Sequence, residues 1–121
     1  MPLFGSPRRS AVQTTARRLG ASADQQAWAR RAVEPFDKGT APVNKILRKQ
    51  IDSLAARFAQ RAHKATTAAE LQEMTYVVLS GYAYLAEGAE DPHYAPLYRR
   101  LAFECRVELD ETRLEQIKAL L

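Results

Sequence analysis

The chain has a single cysteine, Cys105, which excludes an intrachain disulfide framework and any multi-cysteine metal site. It falls on an apolar helical stripe and reads as a small core residue. A lone thiol also fits a reducing, intracellular compartment, so a cytoplasmic protein is expected. Histidines are scarce too. His63 and His93 stand far apart in the sequence, and neither accompanies a nucleophile element, a glycine-rich phosphate loop or a serine elbow. The one Glu-x-x-His spacing, Glu90 to His93, is interrupted by Pro92 in a loop-like stretch. No catalytic residue, metal site or cofactor is therefore expected, and the reading is non-enzymatic.

Long apolar runs are missing as well. The longest uncharged one, "MTYVVLSGYAYLA" from Met74 to Ala86, covers thirteen residues, short of the ~18 to 20 that a membrane-spanning helix requires. No membrane span is expected, and this run reads as a buried core element. Arg8 and Arg9 are followed by "SAVQTTARRL" rather than by an apolar block, which argues against a secretory signal. Acids are absent before Asp24, while Arg8, Arg9, Arg17 and Arg18 stand among Ser, Thr and Ala. That composition resembles an organellar transit segment over residues 1–23, so a mitochondrial location is the alternative expectation.

What is present is enough for one core: 121 residues, 46% of them hydrophobic. The net charge of +4 conceals a division. Residues 1–64 hold 13 Lys and Arg against 4 Asp and Glu, and residues 65–121 hold 5 against 10. The halves thus carry +9 and −5. Surfaces of opposite sign can fold onto one another, associate between copies as a homo-oligomer, or face an external partner.

Hydrophobic periodicity places the chain in the all-α class, as a small bundle of about four helices with a basic N-terminal helical arm or hairpin. Residues 1–38 form the hairpin and residues 39–121 the bundle core. In the hairpin, a helix over Ser10–Leu19 stops at Gly20, and the next opens on the Ser22/Gln25 capping box and ends near Pro35. A third helix opens at Thr40 with Pro42 in its first turn. Its core stripe is Val43, Ile46, Leu47, Ile51, Leu54, Ala55, Phe58 and Ala62, opposite Lys45, Arg48, Lys49, Arg57, Arg61 and Lys64. Asp52 is the only acid on that outer side. Thr67 and Glu70 form a second capping box, opening a helix that runs to Gly88 with apolar residues almost all around it, as suits the middle of a bundle, although "TYVVL" would by periodicity also suit a buried strand. Gly81 within it marks a kink or a close helix crossing. The last helix is expected to begin at Pro92 or Pro96 and continue to the C-terminus. Its stripe of Tyr94, Tyr98, Leu101, Cys105 and Leu109 gives way to a rotated one of Leu114, Ile117 and Leu121.

Two constellations bear on function. Glu104, Glu108, Glu111 and Glu115 recur at spacings of four, three and four, which in one continuous helix places four carboxylates on a single face. Such a row is self-repulsive unless something positive lies against it, either the basic face of the third helix or a basic partner. Together with Leu114, Ile117 and Leu121 it is the expected partner-binding surface. The second constellation, "TARRLGASADQQAWARR", resembles a helix-turn-helix: Ala16, Leu19 and Gly20 match, but Gln26 stands where an apolar locking residue is usual. Arg17, Arg18, Arg30 and Arg31 would then contact nucleic-acid phosphates. The expected function is a non-catalytic protein–protein interaction module, a small accessory subunit or adaptor whose partners are other protein subunits. The alternatives are a DNA-binding regulator using residues 10–34, and an accessory subunit of a mitochondrial or other organellar complex.

Overall fold

Capping chemistry sets the helix boundaries. The computed structural model describes residues 7–37 and 40–120, and all regular structure among them is helical. The first helix, α1 (Pro7–Arg18), ends where Gly20 turns left-handed at φ 75°. The Gly20 N–H then donates to the Arg17 carbonyl at 3.1 Å and the Ala21 N–H to that of Ala16 at 2.9 Å, the paired bonds of a Schellman stop. In α2 (Ala23–Val33) both halves of the capping box form: Ser22 Oγ accepts from the Gln25 N–H, and Gln25 Oε1 accepts from the Ser22 N–H. Pro35 then bars continuation.

The next helix, α3 (Lys45–Ala62), opens later than the expected Thr40. Asn44 Oδ1 accepts from the N–H groups of Ile46 and Leu47 at 3.0 and 3.1 Å, so the cap lies two residues beyond Pro42. Val43 consequently precedes the helix and Ile46 falls on its outer side; they are 96% and 71% exposed. Both were expected in the core stripe, which in fact begins at Leu47. Thr67 Oγ1 caps α4 (Ala68–Gly88) by accepting from the Glu70 N–H, while the Glu70 carboxylate turns to Thr66 instead of closing the box.

The expected last helix is two helices, α5 (Tyr94–Glu104) and α6 (Glu111–Leu120). The chain leaves α5 through Arg106, which adopts φ 57°, and re-enters helix at Asp110, whose Oδ1 accepts from the Arg113 N–H at 2.9 Å. The described residues therefore form six helices rather than a bundle of about four.

Packing is organised around α4, which touches α2, α3, α5 and α6 and buries residues on most of its sides, among them Leu71, Thr75, Val78, Leu79 and Tyr82. A Cβ added at Gly81 would lie 3.2 Å from Leu54 Cδ1, so this glycine lets α3 and α4 cross closely. Val12 and Ala16 of α1 and Ala29, Ala32 and Val33 of α2 belong to the same hydrophobic cluster as Leu47, Ile51, Leu54 and Phe58 of α3. The basic hairpin thus contributes to the shared core. Three phenols fix the connection that follows it: the hydroxyls of Tyr82, Tyr98 and Tyr94 donate to the carbonyls of Ala32, Pro35 and Thr40. Their rings form a column, with centroids 5.0 Å apart for Tyr82 and Tyr98 and 5.6 Å for Tyr98 and Tyr94. No helix among the described residues is long and apolar enough to cross a membrane.

Candidate functional site

The break between α5 and α6 creates a concavity lined largely by apolar side chains. After Arg106 the chain bridges through Val107, Glu108 and Leu109, and α6 then returns against α4, held by buried Ile117 and by an Arg113–Glu73 ion pair of 2.7 Å. Between α5 and α6 a stripe of α4, consisting of Tyr76, Ser80, Ala83, Tyr84 and Glu87, remains as the floor of a groove of about 610 Å³. Ala102 and Phe103 form one wall, and Leu109, Leu114 and Ile117 the other. Phe103 is 83% exposed, and Tyr84, Leu109 and Leu114 are exposed too. Isolated exposed apolar residues are ordinary; four gathered around one groove are not.

Charge on the rim is uneven. Arg99 and Glu87 pair with each other at one end. Around the bridge and the outer side of α6 stand Glu104, Glu108, Asp110, Glu111 and Glu115, against Arg106 and Lys118, all exposed. The four glutamates of the expected row do not share one helix face, because the left-handed turn at Arg106 separates them. Glu104 closes α5, Glu108 lies in the bridge, and Glu111 and Glu115 are on α6. None of their side chains makes a hydrogen bond or ion pair with another described residue. On its other flank α6 presents Gln116 and Ala119, which line a 400 Å³ hollow with Arg57, Arg61, Glu70 and Glu73. The basic face of α3 and the four glutamates of the expected row are therefore not brought together. Of the three apolar residues expected with them, Ile117 is buried against α4, Leu114 is exposed on the groove wall, and Leu121 lies outside the described residues.

Leu109 was expected in the core stripe but is 57% exposed, because α5 ends at Glu104 and leaves it in the bridge, and Phe103 and Tyr84 were not legible as a surface. Phe103 did carry a signal: it falls out of phase with the Tyr94–Tyr98–Leu101–Cys105 stripe and so had to point away from the core that stripe defines.

The hairpin arginines have mixed surroundings. Arg17, Arg18 and Arg30 are exposed, whereas Arg31 turns inward to Asp37 at 2.7 Å. The exposed face of α2 consists of Ala23, Asp24, Ala27 and Arg30. Gln26, at the locking position of the helix-turn-helix pattern, uses its side-chain N–H to close the turn on the Ala21 carbonyl at 3.0 Å. Gln25 donates to Gln72 on α4, which donates in turn to the Cys105 carbonyl, tying α2 through α4 to the end of α5.

No family model, curated protein or solved structure matches this chain.

Reactive chemistry is sparse. Cys105 is fully buried, and burial above all, then the nearby Glu104 charge, pushes its thiol up to about 12. At neutral pH it stays protonated and is a poor nucleophile. His63 is exposed at the C-terminal cap of α3. Among the described residues no three His, Cys, Asp or Glu side chains are grouped so as to hold a metal ion.

Proposed function

We propose that this chain is a non-catalytic protein–protein interaction module, a small accessory subunit or adaptor that binds its partner in the groove between α5 and α6. The observation that carries the reading is the open apolar groove itself, with Phe103 standing free on its wall. From Tyr76 to Glu87 its floor is about 16 Å long at 1.5 Å per residue, enough for three turns of a partner helix. A helix presenting apolar side chains at i, i+3 or i+4, and i+7 would fill it. The excess of carboxylates over Arg106 and Lys118 on the rim favours lysine and arginine beside those anchors.

The test is co-purification at low salt after nuclease treatment, comparing the wild-type chain with Phe103→Glu and Leu114→Glu. Both positions are exposed, so the fold should tolerate the changes within about 0.5 kcal/mol. The expected result is that a protein retained by the wild type after nuclease is lost from both variants. Retention of the same protein by both variants, or loss of everything bound on nuclease treatment, would overturn the assignment.

A further inference from the structure

The outer face of α3 is exposed over its first turns, and its composition there is one-sided. Ile46, Ser53 and Gln60, seven residues apart, run along its centre and are all exposed. Lys45 and Lys49 flank this line on one side with no acid between them, while Arg57 and Arg61 on the other border the hollow shared with Glu70 and Glu73. Asp52 sits further round, where it lines the same hollow as Arg8. At the start of the helix Val43 and Ile46 stand almost free of protein contact, at 96% and 71% exposure, on either side of Lys45.

We infer that the start of this face docks on an anionic lipid surface, with Val43 and Ile46 entering the headgroup region and Lys45 and Lys49 held over acidic headgroups. Two aliphatic side chains set among cations at one helix end match the demands of an interfacial site, where apolar insertion and charge attraction act together. A nucleic-acid backbone would use the cations but has no use for the aliphatic pair, and the face offers no aromatic ring for bases to stack on. Lysine suits the role because its long stem lets the ammonium reach the headgroup layer while the helix lies lower. This surface is separate from the α5–α6 groove, so either can be lost without the other.

Sedimentation with vesicles tests the inference, using phosphatidylcholine alone and phosphatidylcholine with about one-third phosphatidylserine, at low and at physiological salt. The wild-type chain is expected to bind the anionic vesicles and not the neutral ones. Lys45→Gln with Lys49→Gln should lower the partition coefficient about twenty-fivefold, roughly fivefold for each charge. Val43→Ser with Ile46→Ser should lower it about tenfold or more, with an unchanged melting temperature, because neither side chain packs in the core. Failure of the wild type to bind anionic vesicles at low salt would overturn the inference. So would full binding by the Val43→Ser/Ile46→Ser variant, which would reduce the effect to adsorption of charge. A mixed-sequence DNA duplex run in parallel supplies the remaining contradiction: tighter binding to DNA than to the vesicles, lost with the same two lysines, would assign the face to nucleic acid.

Discussion

Three phenol hydroxyls end on carbonyls of the last turn of α2 and the connection after it, those of Ala32, Pro35 and Thr40, and so fix how the basic hairpin meets the helices that follow. Replacing Tyr98 by Phe leaves the ring stack in place but strips the buried Pro35 carbonyl of its donor, which should destabilise the fold by about 1 to 3 kcal/mol in urea unfolding. The same tyrosines make stability pH-dependent. Burial, ahead of any neighbouring charge, raises the phenols of Tyr82 and Tyr98 above their ordinary value of 10. A raised acid keeps its proton in the folded state when the unfolded chain has released it. Its contribution is therefore complete below about pH 10 and is lost as pH rises toward the folded value. Cys105, raised from 9 to about 12, opens that window earlier, from about pH 9. The unfolding free energy is expected to fall above pH 10 by about 1.4 kcal/mol per pH unit for each buried phenol, and Tyr98→Phe should remove one such share of the slope. A stability that stays flat from pH 9 to 11.5 would contradict the burial of these hydroxyls.

At the scale of the helix, α3 joins the core through a single apolar stripe packed against α4. Leu54 and Phe58 are buried at the centre of the strongest apolar stripe, and replacing either with alanine should cost about 2 to 5 kcal/mol. A loss under 0.5 kcal/mol would show that the stripe is not core. Gly20 at φ 75° is the stop of α1, and alanine there should cost about 1 to 2 kcal/mol through the left-handed penalty, measurable as a lower urea midpoint. Much of this was legible in advance, because the signals are local: the Ser22/Gln25 box, the Gly20 stop and the Leu47–Ala62 periodicity each depend on residues within a turn or two. The start of α3 was misplaced because Asn44 outcompetes Thr40 as a cap, a choice that also frees Val43 and Ile46. The break after α5 was hidden for a different reason. No glycine or proline marks it, since the left-handed position is filled by Arg106, and the 4-3-4 spacing of the glutamates continues across the gap as if the helix did. The groove depends on that break, so it was beyond periodicity, although the later change of apolar stripe at Leu114 and Ile117 was its trace.

Over the whole molecule, the charge division of the sequence survives folding as separate surfaces. Cations line the outside of α3, while Glu104, Glu108, Glu111 and Glu115 stand around the α5–α6 bridge and α6 with no described partner for their carboxylates. Exposed ion pairs stabilise a fold by only about 0 to 1 kcal/mol each, so little intramolecular stability would be gained by joining the two surfaces. Left apart, they remain available to outside partners, the acidic one beside an apolar groove and the basic one beside an exposed aliphatic pair. That the acidic residues serve contact outside the chain is tested most directly by the melting temperature of the isolated Glu108→Lys, Glu111→Lys variant at low salt. If they face outward, reversal relieves mutual repulsion, and the melting temperature should hold or rise slightly. A fall of more than about 5 °C, corresponding to about 1 kcal/mol or more for a domain of this size, would mean that the carboxylates hold the fold together and would contradict the assignment.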